Sequence, residues 1–147
     1  MTNEAPPLAL MILFPFAFIA VWLGVGALLS EIGGWARLAR RFPGGPRPAG
    51  PRVRGQVVGM GPVGENGVTN LIPTAEGLYL YSNPLFRFHR PPVMVPWAEI
   101  RDEGERGVLW WRSVGLDLGG VTLLRVRARA MPALAPYLAG KAGRPAA

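Results

Sequence analysis

The sequence predicts a mainly β protein with an N-terminal single transmembrane helix, followed by a small antiparallel β-barrel or sandwich and a C-terminal helix. Two observations support this fold class. Residues 8–29 form an uninterrupted apolar segment, and from Arg52 onward apolar residues recur at every second position in short runs bounded by Gly, Pro and Asn. With 147 residues, the chain is long enough for one ordinary domain and a short appendage.

The apolar segment 8–29 (LALMILFPFAFIAVWLGVGALL) carries no charged side chain. As a helix it rises about 33 Å, and the hydrocarbon core of a bilayer is about 30 Å thick. A secretory signal peptide is the alternative. However, the short N-terminal tail 1–7 (MTNEAPP) contains Glu4 and no basic residue, and the apolar run is longer than such peptides need. We therefore expect a retained anchor.

The distribution of arginines predicts the orientation of this anchor. Basic residues near a span stay in the cytoplasm, and six arginines follow the span closely, against Glu31 alone. The N-terminus is then outside and the rest of the chain is cytoplasmic. The absence of cysteine agrees with a reducing compartment. Abundant Arg, Gly and Pro suggest a bacterium with a GC-rich genome, and hence the bacterial inner membrane. The six arginines are Arg37, Arg40, Arg41, Arg47, Arg52 and Arg54.

Residues 33–42 (GGWARLARRF) predict a short juxtamembrane amphipathic helix. At 100° per residue, Trp35 and Phe42 share an apolar face, and the opposite face is cationic. The glycines at its start can end the apolar helix, so that this second helix lies along the membrane surface among anionic headgroups. In the alternative, the same apolar face packs on the folded domain. The cationic residues are Arg37, Arg40 and Arg41.

Residues 43–51 (PGGPRPAGP) have no periodicity and predict a semi-stiff linker to a β domain at 52–140, with a flexible tail at 141–147. Within the domain, RDEGERG is expected to be an acidic turn. Pro132 suits the first turn of the C-terminal helix, PALAPYLAG. The expected strands lie in RVRGQVVGM, GVTNLIPTA, LYLYS, VMVPWAEI, VLWWRSV and VTLLRVRARA.

The stretch EGLYLYSNPLFRFHRPPVMVPWAEI resembles the central hairpin of bacterial pleckstrin-homology-like (PH-like) domains, in which a strand ends in a PWxxI pattern. Here the pattern is carried by Pro96, Trp97 and Ile100. Together with GWARLARRF, the stretch also resembles small bacterial membrane proteins that contain such a domain. The resemblance implies a seven-stranded, two-sheet barrel capped by a C-terminal helix. It does not imply phosphoinositide binding, because no headgroup-binding motif maps onto this sequence.

The segment GMGPVG matches the spacing of the dinucleotide-binding fingerprint at Gly59, Gly61 and Gly64. That fingerprint requires a helix to begin there, with its N-terminus facing a pyrophosphate. Pro62 and the following ENGVTN instead continue as loop and strand. We interpret the segment as a glycine-rich turn.

Catalytic or metal-binding chemistry has few candidate residues. His89 is the single histidine and there is no cysteine, which excludes zinc sites built from several such ligands. A triad would need His89 with Ser30, Ser82 or Ser113, yet no nucleophile turn is present. We expect His89 at a strand end or in a loop. We expect the acidic run Asp102, Glu103 and Glu105 to form a solvated turn rather than a cation site. The sequence thus predicts no enzyme and no cofactor.

Residues that alternate along the last predicted strand suggest a binding surface. Arg125, Arg127 and Arg129 fall on one side of RVRAR, where headgroups, an acidic partner or the DEGE turn can neutralise them; a solvated outer face is the alternative. Trp110 and Trp111 lie on opposite faces of a neighbouring strand, so that one belongs to the core and the other can mark a contact surface.

These features predict a membrane-anchored, non-enzymatic adaptor or scaffold. Its cytoplasmic domain would bind a membrane-protein partner or anionic lipid headgroups. An accessory subunit of a larger membrane complex is an alternative. Another is a nucleic-acid-binding β-barrel, favoured by the formal charge of +7. Much of that charge lies next to the span, where membrane topology already accounts for it.

Overall fold

The computed structural model describes residues 6–64, 68–108 and 111–142. Helices and strands follow in the order α1, α2, β1 to β8 and α3, with short 3-10 turns between some of them. The helices are α1 (Leu8–Gly33), α2 (Trp35–Arg41) and α3 (Met131–Ala142). The strands are β1 (Val57–Met60), β2 (Val63–Gly64), β3 (Thr69–Pro73), β4 (Gly77–Ser82), β5 (Val93–Pro96), β6 (Ile100–Val108), β7 (Trp111–Leu118) and β8 (Thr122–Arg127). The 3-10 turns span Pro84–His89, Trp97–Glu99 and Ala128–Ala130.

The strands form two antiparallel sheets. One has five strands in the order β2-β1-β8-β7-β6, and the other has three in the order β3-β4-β5. Just before β1, Val53 exchanges two backbone hydrogen bonds with Leu71 of β3, at 2.7 and 2.9 Å. The segment from Val53 through β1 therefore touches both sheets. This architecture confirms the prediction of a mainly β chain with an N-terminal apolar helix and a C-terminal helix.

The core lies between the two sheets. Along β8 every second side chain is buried, so that Leu124 and Val126 point inward while Arg125 and Arg127 lie on the outer face. Leu71 and Leu80 approach from the smaller sheet and are fully buried. Each such side chain stabilises the fold by about 1.5–3 kcal/mol through removal from water.

The PWxxI pattern joins the smaller sheet to the C-terminal helix. Trp97 follows β5 directly, and its indole N–H donates a hydrogen bond to the carbonyl oxygen of Thr74 at 2.6 Å. Its ring stacks on Tyr137 of α3, with centroids 5.0 Å apart and planes 9° from parallel. Ile100 is fully buried. The two apolar residues of this pattern thus have packing roles.

Helix α1 is long and apolar enough to cross a membrane, judged by its 26 residues and its composition. It continues through Pro15 without interruption. Its residues from Leu8 to Trp22 are exposed, whereas Ser30 and Gly33 near its end are buried. The exposed part is the one that lipid would surround.

Two expectations about the domain are wrong. The acidic stretch after Ile100 belongs to the nine-residue strand β6 instead of forming a turn. Gly104 adopts φ +88° in a bulge, where its N–H donates a hydrogen bond to the Asp102 carboxylate at 2.7 Å. The residues that favour a turn therefore form a bulge within the strand. Arg129 does not continue the row of β8, because that strand ends at Arg127 and Arg129 lies exposed in a 3-10 turn.

The Pro/Gly segment 43–51 differs from the expected spacer. Pro43 pairs with Val93 in an isolated β-bridge, and the Gly44 N–H bonds to the carbonyl oxygen of Pro92 at 2.9 Å. Further along, the hydroxyl of Tyr79 donates to the carbonyl oxygen of Gly45 at 2.9 Å. The segment lies on the smaller sheet, and the domain already begins at the end of α1.

Candidate functional site

The end of α1 is anchored in the β domain by hydrogen bonds from two hydroxyl groups. Ser30 donates through Oγ to the carbonyl oxygen of His89 at 2.8 Å. Thr122 of β8 donates through Oγ1 to the carbonyl oxygen of Gly33 at 2.7 Å, in a buried position. These bonds satisfy polar groups that are removed from water, so each is costly to leave unmade.

Gly34 separates α1 from α2 and makes their close approach to the domain possible. It adopts φ +87°, in the left-handed region that glycine favours. A Cβ at this position would lie 2.8 Å from the Cβ of Thr122. The chain can therefore turn here only with a residue that lacks a side chain.

Trp35 lies in the hydrophobic core, with 1% of its surface exposed. Its indole N–H donates to the carbonyl oxygen of Pro91 at 3.0 Å, and the Arg90 guanidinium lies over its ring, 5.3 Å from the centroid. Leu38 is buried beside it, and Phe42 is partly buried against the same core. The expectation that Trp35 and Phe42 face the membrane is therefore wrong. The apolar face of α2 packs on the domain, because this burial removes a large ring from solvent entirely.

The cationic face of α2 remains exposed. Arg37, Arg40 and Arg41 are all solvent-accessible. Arg40 pairs with Glu31 at 3.3 Å, and Arg41 pairs with Glu99 at 3.7 Å. Exposed pairs of this kind contribute about 0–1 kcal/mol each. The face therefore keeps its net positive charge next to the end of α1.

A cavity of about 340 Å³ lies between α1 and the β domain. The last turns of α1 form one wall, and the other walls are formed by the 3-10 turn Pro84–His89, strand β2 and Val68 just before β3. The rings of Trp22 and Phe86 meet across it, with centroids 5.5 Å apart. Residues that line it include Trp22, Gly26, Leu29, Val68, Phe86 and His89.

Polar groups lie in one part of this apolar cavity. The Nε2 atom of His89 is shielded from solvent and has no hydrogen-bond partner among the described residues. Arg90 also lines the cavity, and it donates to the hydroxyl of Thr69 at 3.4 Å. Gly26 lies against the imidazole, since a Cβ at this position would be 3.4 Å from His89 Cδ2. The cavity thus combines an apolar wall with a hydrogen-bonding group and a positive charge.

One arginine on the outer face of β8, Arg125, packs against β1 and so has a structural role. The guanidinium of Arg125 lies directly over Gly59 of β1 and donates to the carbonyl oxygen of Gly61 at 3.3 Å. Gly61 adopts φ +55° and packs near Gly33. In the apparent dinucleotide fingerprint, Gly59 therefore leaves room for the Arg125 side chain, and Gly61 forms the turn between β1 and β2. Arg127 shares this outer face and Arg129 lies outside the strand.

The other predicted site residues lie apart from one another in the structure or belong to the part of the chain that is not described. His89 ends a 3-10 turn, as part of a loop region, and Ser82 at the end of β4 shows no hydrogen bond to it. Within residues 6–64, 68–108 and 111–142, no group of three His, Cys, Asp or Glu could hold a metal. Trp110 lies outside the described residues, and Trp111 begins β7.

Sequence reasoning missed this cavity and the docking segment His89 to Pro92. A signal for the docked helix end was present, however. Gly26, Ser30 and Gly33 are spaced four and three residues apart, which places them on one helical face. Ser30 is also the first polar residue after the span. The docking segment receives hydrogen bonds from Ser30 and Trp35, which lie 59 and 56 residues earlier in the chain, and no local sequence pattern reveals contacts over such a separation.

Comparison of the chain with models of protein families, with curated proteins and with solved structures finds no match.

Proposed function

We propose that this protein is a single-pass, membrane-anchored adaptor without enzymatic activity. Its PH-like β domain lies on the cytoplasmic side of a bacterial inner membrane. There it binds a membrane-protein partner or anionic lipid headgroups. The observation that carries this proposal is the docked junction at Ser30 and Trp35, which fixes the domain relative to the apolar helix.

A docked junction suits an adaptor because it fixes which face of the domain is turned toward the membrane surface. A domain on a flexible tether samples many orientations and pays an entropic cost when it binds. Here the buried ring of Trp35 and two hydroxyl hydrogen bonds tie the helix end to β8 and to the segment after the 3-10 turn. The same face of the domain is therefore held toward the membrane surface at all times.

The strand arrangement supports the PH-like assignment. Such a domain has seven strands in two sheets and a C-terminal helix. Apart from the two-residue β2, the described chain has seven strands in sheets joined through the segment at Val53, followed by α3. The PWxxI pattern lies where β5 leads into β6, at the passage from one sheet to the other.

The charges around the helix support the orientation. Between Glu4 and Glu31 there is no charged residue, whereas α2 and the following segment are rich in arginine. Arg37, Arg47 and Arg52 are exposed. Near an anionic membrane surface each basic residue contributes about 1 kcal/mol, which favours the cytoplasmic side for this end of the helix.

Cysteine labelling tests the orientation. The natural chain lacks cysteine, so Ala98→Cys, at an exposed position after β5, gives one reporter. We expect no reaction with a membrane-impermeant maleimide on intact cells and full reaction after the membrane is permeabilised. Labelling on intact cells would contradict the cytoplasmic location of the domain.

Site-specific photocross-linking in cells tests the adaptor role. A benzophenone amino acid replaces exposed Arg129 in the full-length chain, and a matched variant carries it at exposed Glu76 in the β3–β4 turn. We expect a discrete protein or lipid adduct at Arg129 that is weaker at Glu76. No adduct at either position would contradict the proposal.

A further inference from the structure

The length of α1 sets the depth of Trp22 in a bilayer that the helix crosses. The hydrocarbon core is about 30 Å thick and takes about 20 helical residues. If Trp22 were outside this core, residues 8–21 of α1 would have to cross it alone, and they rise only about 21 Å. A core that begins at Leu8 extends to about Ala27. Trp22 then lies about 7 Å or more inside the hydrocarbon, on the side of the β domain.

Contacts between α1 and the 3-10 turn Pro84–His89 show which end of the turn lies deepest. The rings of Phe86 and Trp22 have their centroids 5.5 Å apart. At the other end of the turn, the carbonyl oxygen of His89 accepts the hydrogen bond from Ser30, which lies about 12 Å further along the helix than Trp22. The start of the turn therefore points into the membrane. Because 5.5 Å is less than the depth of Trp22, the Phe86 ring also lies within the hydrocarbon.

The residue before Phe86 has the exposure expected of a side chain that faces lipid. Leu85 is 71% exposed, and every other exposed large apolar residue in the described parts of the chain belongs to α1. Leu85 also lines the cavity beside Trp22 and Phe86. In water this side chain would be left without the benefit of burial, whereas in a leaflet it is surrounded by acyl chains. Its exposure is thus explained by its depth.

The backbone at the start of the turn is also suited to lipid, where an unpaired N–H group is costly. Pro84 has no N–H group. The Leu85 N–H donates to the side-chain oxygen of Asn83 at 3.3 Å, and the Phe86 N–H donates to the carbonyl oxygen of Asn83 at 2.9 Å. The Asn83 N–H donates to the carbonyl oxygen of Val68 at 3.0 Å. Every N–H group from Asn83 to Phe86 is therefore paired.

We propose that the tip of this turn, Pro84 to Phe86, inserts among the acyl chains of the leaflet on the side of the β domain. The tip is a second contact of the protein with the membrane interior, separate from the cationic face of α2. This inference rests on the membrane span of the proposed function. It does not depend on which side of the membrane the domain occupies.

Site-directed spin labelling of the full-length protein in lipid nanodiscs measures this depth. The natural chain lacks cysteine, so Leu85→Cys carries a single nitroxide. Glu76→Cys is the matched control, because Glu76 is exposed at the opposite end of β4, about 20 Å from the turn. Val21→Cys, 65% exposed on α1, is the reference for the hydrocarbon. We expect the Leu85 and Val21 labels to be more accessible to oxygen than to a water-soluble nickel chelate, and the Glu76 label to show the reverse.

The rate of thiol alkylation tests the same depth without an apolar label. A cysteine reacts through its thiolate, which forms poorly in apolar surroundings. In nanodiscs we expect Leu85→Cys to react with a water-soluble maleimide at least about tenfold more slowly than Glu76→Cys. After unfolding in denaturant the two variants should react at similar rates.

Three results would overturn the insertion of the tip. These are a Leu85 label as accessible to the chelate as the Glu76 label, equal alkylation rates in nanodiscs, and a Leu85 label shielded from both oxygen and chelate, which would show that protein covers the tip. The Val21 label distinguishes these results from a failure of the proposed function. If that label is accessible to the chelate, α1 does not cross the bilayer and both proposals are wrong.

Discussion

Ser30, near the end of the apolar helix, donates a hydrogen bond to the backbone carbonyl oxygen of His89, which lies 59 positions further along the chain. This bond joins the apolar helix to the turn that faces it across the cavity. Because Ser30 is buried, neither partner can exchange the bond for water without opening the junction. The end of the apolar helix is therefore part of the tertiary structure of the domain.

Removal of this hydroxyl should weaken the junction. We expect Ser30→Ala to lower the free energy of unfolding by about 1–3 kcal/mol, since the carbonyl oxygen of His89 is left unsatisfied. Chemical unfolding of the full-length protein in detergent measures the change. Glu31→Gln is the control, because it removes only an exposed ion pair and should change the free energy by less than about 0.5 kcal/mol. Equal effects would contradict the role of Ser30.

Trp35 should contribute through its indole N–H as well as through its apolar surface. We expect Trp35→Phe to lower the free energy of unfolding by about 1–3 kcal/mol, because the bond to the carbonyl oxygen of Pro91 is lost and a cavity forms. Phe14→Ala on the exposed part of α1 should leave the domain's unfolding unchanged. If Trp35→Phe is neutral, the side chain does not occupy the core as described.

Gly34 should tolerate no side chain. We expect Gly34→Ala to cost about 1–3 kcal/mol or more, since it combines a left-handed backbone with a contact to Thr122. Gly24→Ala, in α1 with open space around it, is the matched control and should be neutral or slightly stabilising. Thermal unfolding followed by circular dichroism compares the two. A neutral Gly34→Ala would show that the helices turn differently.

Gly59 and Arg125 should depend on each other. We expect Gly59→Ala to destabilise the fold by about 1–3 kcal/mol, because the new methyl group meets the Arg125 guanidinium and lies 2.9 Å from the carbonyl oxygen of Val63. Combination with Arg125→Ala should restore part of the loss, since only the backbone contact then remains. A double-mutant cycle measures this coupling. Strict additivity would contradict the packing of Arg125 over Gly59.

The sequence predicted those features that depend on local patterns. Uninterrupted apolarity identified α1, alternation identified β8, and the position of Pro132 was compatible with the start of α3. The break at Gly34 followed from the paired glycines. The packing partner of the apolar face of α2 could not be predicted, because an amphipathic helix beside a span has the same sequence pattern whether this face contacts lipid or protein.

The remaining features depend on contacts between distant segments. The Pro/Gly segment has the composition of a free linker, yet Gly44 bonds to Pro92, a partner that composition does not reveal. Likewise, Asp102 and Gly104 have the local signal of a turn, but pairing of β6 with β7 on both sides of the bulge outweighs it. The cavity exists because α1 and the 3-10 turn Pro84–His89 converge, and no motif encodes that convergence.

The proposed adaptor role depends most on the apolar helix and the β domain forming one rigid unit. Spin labels on Val21→Cys, 65% exposed on α1, and on exposed Ala98→Cys report this directly by double electron–electron resonance of the full-length protein in lipid nanodiscs. We predict a single, narrow distance distribution that persists when salt is raised. A broad distribution, as expected for a domain on a flexible Pro/Gly tether, would contradict the docked junction and the cavity that it forms.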